Sequence, residues 1–216
     1  MSRIYGVLRF IVRLVIFFIV WRIIIGIVRR FFKFPVPSFM SYLLDSPWRR
    51  LFQPPAQVVD WAKIDQGLHV LELGPGPGTF TLDIAGRVGD GGHVTAVDIS
   101  PVMIARLEAK IAKAGVANVT PRVAAAYELP LPDASVDRVF MMTVLGEIPD
   151  RERALAEVRR VLKPDGLLAV GEFIPDPDFP MPQTVVGWCR QSGFQLVDLN
   201  GNMLHYVALF KKSSSV

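Results

Sequence analysis

The 216-residue chain has one cysteine, Cys189, and three scattered histidines, His69, His93 and His205. A single thiol excludes a disulfide framework and a cysteine-built metal centre, and the histidines offer no metal-ligand spacing, so no metal is expected. Charged residues are sparse, at 20%, against 51% hydrophobic, which excludes a disordered or low-complexity chain. Acids are nearly missing from the first 50 positions, where nine Lys/Arg (Arg3, Arg9, Arg13, Arg22, Arg29, Arg30, Lys33, Arg49, Arg50) face only Asp45. The remainder holds 15 basic and 19 acidic residues. The alkaline balance therefore belongs to the leader, and a nucleic-acid partner is not expected for the rest. There is no internal repeat.

What the leader has in quantity is apolar side chains. Residues 4–34 read IYGVLRFIVRLVIFFIVWRIIIGIVRRFFKF, and as a helix at 1.5 Å per residue they would exceed a bilayer core of roughly 30 Å. Arg13 and Arg22 interrupt the run, each within snorkelling distance of a headgroup layer. Arg9 and Arg13 fall on one side and Arg22 and Arg29 nearly opposite, unlike the single polar face of an interfacial helix. Arginines inside the run and the following Arg29, Arg30 and Lys33 disfavour a removable signal peptide. The expectation is a membrane anchor over residues 1–34, touching the bilayer through 4–34. The excess of positive charge after it puts the following domain on the cytoplasmic side. An interfacial helix and a helix docked on a partner stay open as alternatives. Residues 35–55 form a proline-punctuated connector with short helices, Pro47 suiting a first helical turn. Its aromatics Phe39, Tyr42, Trp48 and Phe52 either pack on the domain or form a lid over a substrate opening, with Arg49 and Arg50 near lipid phosphates.

From residue 56 to 212 strand-like and helix-like stretches alternate, with a tail at 213–216. Strands are expected at His69–Leu73, His93–Asp98, Val119–Ala124, Val136–Thr143 and Leu167–Phe173, then as a closing pair at Gln195–Leu199 and Leu204–Phe210. Helices are expected at Thr79–Val88, Pro101–Ala114, Arg151–Leu162 and Thr184–Ser192, with a turn at 163–166. This is an α/β domain of right-handed βαβ units around a mostly parallel sheet, its last strand antiparallel. Ligands of such sheets sit beyond the strand carboxyl ends.

Beyond the first strand lies Glu72-Leu-Gly74-Pro-Gly76-Pro-Gly78-Thr79. Its glycines permit a sharp turn and close backbone approach by a ligand. The spacing is not G-x-G-x-x-G and no Lys-Ser/Thr follows, so a dinucleotide turn and a Walker loop are both disfavoured. The second strand ends in Asp98, where a carboxylate can accept two ribose hydroxyls; the plainer reading, a helix cap, is weakened because Ser100 already supplies one.

The segments VLELGPGPGTFT, VDISPVMI, ELPLPDASVDRVFMMTVLGEIPDRERALAEVRRVLKPDGLLAVGE and GFQLVDLNGNMLHYVALFKK together resemble a class I S-adenosylmethionine-dependent methyltransferase of the branch acting on small molecules, quinones and lipids, with a type 11-like domain over about residues 55–212. The resemblance implies a seven-stranded Rossmann-like sheet of order 3-2-1-4-5-7-6, strand seven antiparallel, with helices on both faces. It implies S-adenosylmethionine as co-substrate, with Gly74, Gly76 and Gly78 at its methionine part and Glu72 orienting the loop and, through water, the amino group. Asp98 would hold the ribose, and Ile99 and Met103 would flank the adenine. Where relatives carry an acid for the adenine amino group this chain has Ala125, leaving the backbone amides of Ala125 and Ala126, a loss of about 0.5–1.5 kcal/mol for one neutral-type hydrogen bond. Histidines common after strand four are replaced by Leu145-Gly146-Glu147-Ile148. Glu147 is either substrate-facing or a solvated helix-entry acid.

Methyl transfer needs alignment and water exclusion, and a base only for some nucleophiles. Glu147 and Glu172 are the candidate catalytic residues, with Asp176 and Tyr42 behind them. The expected function is a membrane-anchored methyltransferase acting on a small lipophilic acceptor, a lipid headgroup or an isoprenoid quinone. A catalytically inactive cofactor-binding or assembly scaffold at the membrane is the alternative, and a protein or nucleic-acid methyltransferase is disfavoured by the acidic domain.

Overall fold

A computed structural model describes residues 47–174, 179–202 and 204–213, together with a few positions between 5 and 20. Two short helices, α1 (Pro47–Phe52) and α2 (Pro55–Trp61), lead into the alternation. It runs β1 (His69–Leu73), α3 (Thr81–Val88), β2 (His93–Asp98), α4 (Pro101–Ala114), β3 (Val119–Val123), β4 (Val136–Met142), α5 (Arg151–Val161), β5 (Leu162–Phe173), α6 (Pro182–Gln191), β6 (Phe194–Gly201) and β7 (His205–Lys212). The seven strands form one sheet of order β3-β2-β1-β4-β5-β7-β6. Pairs from β3 to β5 are parallel, whereas β7 is antiparallel to both neighbours.

Each face of the sheet buries its own apolar cluster. One gathers Val58 and Val59 of α2, Ile84 of α3 and Leu107 of α4 over Val94, Phe140 and Leu209. The other packs Leu155 and Val158 of α5 and Val185 and Cys189 of α6 against Leu71, Val139 and Phe210. Strands buried on both faces read as near-continuous apolar runs, which explains the compactness of HVLEL and VDRVFMM. Burial pushes the Cys189 thiol up to about 12, so it behaves as a small apolar group.

Two expectations need correction. No helix among the described residues is long and apolar enough to cross a membrane. The single spanning amino-terminal helix, and with it the membrane localisation with a cytoplasmic domain, is therefore withdrawn. Most of residues 4–34 lie outside the described residues, and the described positions Tyr5, Gly6, Arg9, Val12, Arg13, Ile16, Phe17 and Val20 are helical and exposed. The second correction concerns the turn at 163–166. Helix α5 ends at Val161 and β5 begins at once, with Val136 opposite Leu162 and Arg138 opposite Leu167. Two steps on β4 thus span five on β5, and Lys163–Gly166 is an irregularity inside a long strand rather than a break before a short one.

Candidate active site

The parallel order makes β1, β2, β3, β4 and β5 end along one edge of the sheet, and antiparallel β7 begins there. Beyond β1 the chain turns through Gly74, Gly76 and Gly78, all at positive φ (+72°, +55° and +85°). Two of them are also demanded by packing. A Cβ at Gly74 would come within 2.4 Å of Val144 Cγ2, and one at Gly78 within 2.7 Å of Leu107 Cδ1. Gly76 differs: a Cβ there would meet nothing within 4 Å. The middle of the turn therefore faces open space while its ends are pinned, an open cradle of backbone suited to a ligand. Lys110 of α4 holds the far end by donating to the Gly78 carbonyl at 2.6 Å.

Asp98 faces this turn. Its Oδ2 accepts from the Gly76 amide at 3.1 Å and its Oδ1 from the Ser100 amide at 2.9 Å. The helix cap is Ser100, whose Oγ accepts from the Met103 amide at 3.4 Å. Desolvation raises the Asp98 pKa, opposed by backbone amides including those of Ser100 and Gly76. Two amide bonds leave carboxylate lone pairs available for further donors.

Glu72, 2% exposed, sits behind the turn on the face covered by α3 and α4. Burial pushes its carboxyl up to about 7, against opposing contributions from Thr81 and Lys110. Its Oε2 is buried with no hydrogen-bond partner, a group that a donor on a bound molecule or a water would satisfy. The open cradle at Gly76 and this buried acceptor suit the donor-rich amino acid end of S-adenosylmethionine.

Of the remaining expected residues, Ile99 is 67% exposed and Met103 buried. They stand immediately after β2 and in the first turn of α4. Ala125 and Ala126 are half-buried just beyond β3, and the Ala124 amide donates to the Asp98 carbonyl at 3.1 Å. Glu147 is half-buried in a turn after β4, its amide donating to the Val144 carbonyl at 3.0 Å. Glu172 is buried near the end of β5, opposite Tyr206 of β7. Tyr42 and Asp176 lie outside the described residues, as does Phe39. Glu72, Gly76 and Asp98 thus converge at one place, whereas Glu147 stands beyond β4 and Glu172 near the end of the neighbouring strand β5.

Sequence reading missed Thr143 and Val144. Thr143 has φ +57°, an outlier for a β-branched residue, and it turns the chain so that Val144 packs on Gly74. No residue type announces this; the cue was only that MMTV runs off the end of an apolar strand. The connector also joins the site's edge: Gln53, buried after α1, donates to Met142 Sδ at 3.2 Å at the end of β4, and Arg50 pairs with Asp83 of α3 at 2.5 Å.

Residues 71–170 match the model of a methyltransferase domain family. Among curated proteins, the chain is 34% identical over 120 residues to an arsenite methyltransferase of Halobacterium salinarum, covering 56% of this chain and 31% of that protein. It is 38% identical over 127 residues to the ubiquinone/menaquinone biosynthesis C-methyltransferase UbiE of Psychromonas ingrahamii, covering 58% of this chain and 48% of that one. The chain thus spans about half or less of the length of these relatives. A crystal structure of a SAM-dependent methyltransferase from Aquifex aeolicus superposes with a TM-score of 0.77 at 24% identity, covering 82% of this chain and 98% of that one, a likeness of fold. The matched segment begins inside β1 and ends inside β5, enclosing the glycine turn, Asp98 and the loop after β4. With that sheet order and these strand-end residues, residues 71–170 match a methyltransferase domain set on the fold of an S-adenosylmethionine-dependent methyltransferase.

Proposed function

We propose that this protein is an enzyme that moves a methyl group from S-adenosylmethionine to a small lipophilic acceptor, a quinone-type ring in its reduced form. The observation that supports a lipophilic acceptor is the position of the exposed large apolar side chains. From residue 47 onward they are Leu51 and Phe52 of α1, Ile99 and Val102 after β2, Val123 at the end of β3, Met181 before α6 and Leu204 before β7, with Val197 and Leu199 on the edge strand β6. All but the last two belong to segments along the carboxyl edge of the sheet. Exposed apolar groups gathered at one rim mark an interaction or ligand-entry surface, and a freely soluble acceptor has no use for them.

The two curated relatives act, by name, on different acceptors. Arsenic(III) is soft and binds thiolates. This chain has one cysteine, fully buried and held as the thiol, which disfavours an arsenite-type acceptor. A C-methyltransferase acting in quinone biosynthesis agrees with the apolar rim.

Bound S-adenosylmethionine supplies a methyl group on a positively charged sulfur and leaves as neutral S-adenosylhomocysteine. In this reading Asp98 accepts the ribose hydroxyls, and Gly74, Gly76 and Gly78 let the methionine part lie against backbone. Glu72 orients the amino group through water, Ile99 and Met103 flank the adenine, and the amides of Ala125 and Ala126 read its edge. Glu147 or Glu172 takes the proton that the acceptor carbon gives up as the new carbon–carbon bond forms. The catalytic domain is assigned to residues 56–212, with the described part of the connector, residues 47–55, bordering the acceptor opening. The chain aligns donor and acceptor and excludes water.

Purified protein is incubated with methyl-labelled S-adenosylmethionine, a detergent-dispersed menaquinol lacking its ring methyl, and in parallel with arsenite. Label extracted into organic solvent on the quinone ring is expected. Label found only on water-soluble products, or on arsenic, would refute the acceptor class.

A further inference from the structure

The loop that follows β4 is held at both ends. At its start, Thr143 donates its amide to the Gly171 carbonyl at 2.8 Å and its hydroxyl to the Met142 carbonyl at 2.7 Å, and its left-handed conformation carries Val144 against Gly74. At the other end Arg151, the first residue of α5, reaches back over the loop. Its Nε donates to the Leu145 carbonyl at 3.0 Å and its Nη2 to the Gly146 carbonyl at 2.8 Å. The same guanidinium lies 4.2 Å from the centroid of the Trp188 ring on α6. A planar fork serving two successive carbonyls while stacked on an aromatic ring is a geometry that lysine cannot reproduce. Glu147 is the next residue, in the turn that its amide closes on Val144.

We infer that Arg151 is a positioning residue: it clamps Leu145 and Gly146 to α6 through Trp188, so that the wall carrying Glu147 is formed before the acceptor arrives. The inference deepens the proposed methyl transfer and rests on it for its kinetic readout. A strained residue held at the mouth of a site belongs to such a preformed arrangement. Holding the acceptor-side wall at a set distance from the glycine turn is what in-line transfer requires, because small misplacements of reacting groups cost large factors in rate. The groups assigned to the cofactor, Gly76 and Asp98, lie beyond β1 and at the end of β2, whereas the carbonyls that Arg151 holds lie past Val144, the residue that packs on Gly74, so acceptor kinetics depend on the clamp more than cofactor affinity does.

Arg151→Lys and Arg151→Gln are made in the full chain, and three quantities are compared with the wild type. Hydrogen exchange at the amides of Gly146, Glu147 and Ile148 is expected to quicken about 10-fold or more, the loss of one or two charge-assisted bonds. With the demethylated menaquinol as probe, kcat/KM for the acceptor is expected to fall by about 10-fold or more. The affinity for S-adenosylhomocysteine stays within about twofold, since the clamped loop follows β4, two strands from the one that ends in Asp98. Unchanged exchange overturns the clamp. Quickened exchange with wild-type acceptor kinetics overturns the positioning role. Cofactor affinity falling in step with thermal stability shows only general support of the fold and also overturns it. If the wild type turns over no quinol, the acceptor class fails by itself and the clamp stands or falls on the exchange data.

Discussion

Glu72 shows how one buried carboxyl links stability to ligand binding. Its pKa in the folded chain is about 7 against an ordinary 4.5, because burial disfavours the charged form. The folded state therefore binds the proton more tightly than the unfolded one. The stabilisation is fully present below pH 4.5 and is lost as the pH climbs to 7, an amount of about 3 kcal/mol. Denaturant titrations of the ligand-free protein should show this loss in the wild type and a flatter profile in Glu72→Gln. Binding runs the other way: an ionised carboxylate favours a cationic amino group, so affinity for S-adenosylhomocysteine should rise from pH 6 to 8 in the wild type only. A wild-type affinity independent of pH would remove Glu72 from the cofactor's surroundings. For Asp98→Ala we expect a loss of about 1.5–3 kcal/mol in cofactor affinity, roughly 10- to 150-fold by calorimetry, because its acceptors serve charge-assisted bonds. An affinity within twofold of wild type would refute the ribose role. The positions of Asp98 and Glu72 were both legible from sequence, since Asp98 closes one apolar strand run and Glu72 stands one residue from the end of another. The +57° turn at Thr143 was not, because a positive φ in a threonine is imposed by tertiary contacts.

At the scale of elements, helix bounds followed side-chain chemistry wherever caps were unambiguous. Pro101–Ala114 emerged as expected, with Ser100 before it and Gly115, in the left-handed conformation, after it. Bounds failed where local chemistry and sheet pairing disagree. Lys163-Pro164-Asp165-Gly166 has the composition of a turn, but the flanking residues pair with β4 on both sides and draw the segment into β5. Gly166 is part of the reason: a Cβ there would lie 2.7 Å from Leu162 Cδ1 and 3.0 Å from the Asp137 carbonyl oxygen. Gly166→Ala should destabilise the protein by about 1–3 kcal/mol, the usual cost of overpacking, read as a lower denaturant midpoint. An unchanged midpoint would mean that the irregularity tolerates a side chain.

For the whole molecule, α1 and α2 are structural partners of the sheet. Val58, Val59 and Ala62 complete one of the two apolar clusters, and Gln53 reaches the end of β4. A chain truncated to residues 47–216 is expected to keep the fold and bind S-adenosylhomocysteine. One truncated to 63–216 is expected to lose cooperative unfolding, because it uncovers part of that cluster. Circular dichroism melts and calorimetry decide both, and loss of the fold in the longer piece would assign a structural role to residues 1–46. The membrane-spanning helix expected of residues 4–34 was a reading of length and hydropathy alone. Arg13 and Arg22 already divided that stretch, and among the described residues no helix meets the requirement for a span.

Alternation of apolar strand runs with helical periodicity was sufficient to establish an α/β domain around a mostly parallel sheet closed by an antiparallel strand, while the seven-stranded order came with the resemblance to methyltransferases. Such runs and periodicities are local signals, because backbone freedom and strand burial are written in residue type. The pinning of the glycine turn by Val144 and Leu107, the clamp of Arg151 on the loop after β4, and the absorption of 163–166 into β5 exist only once distant segments are packed. Each depends on steric contact between residues far apart in the chain, and no local pattern encodes such contacts.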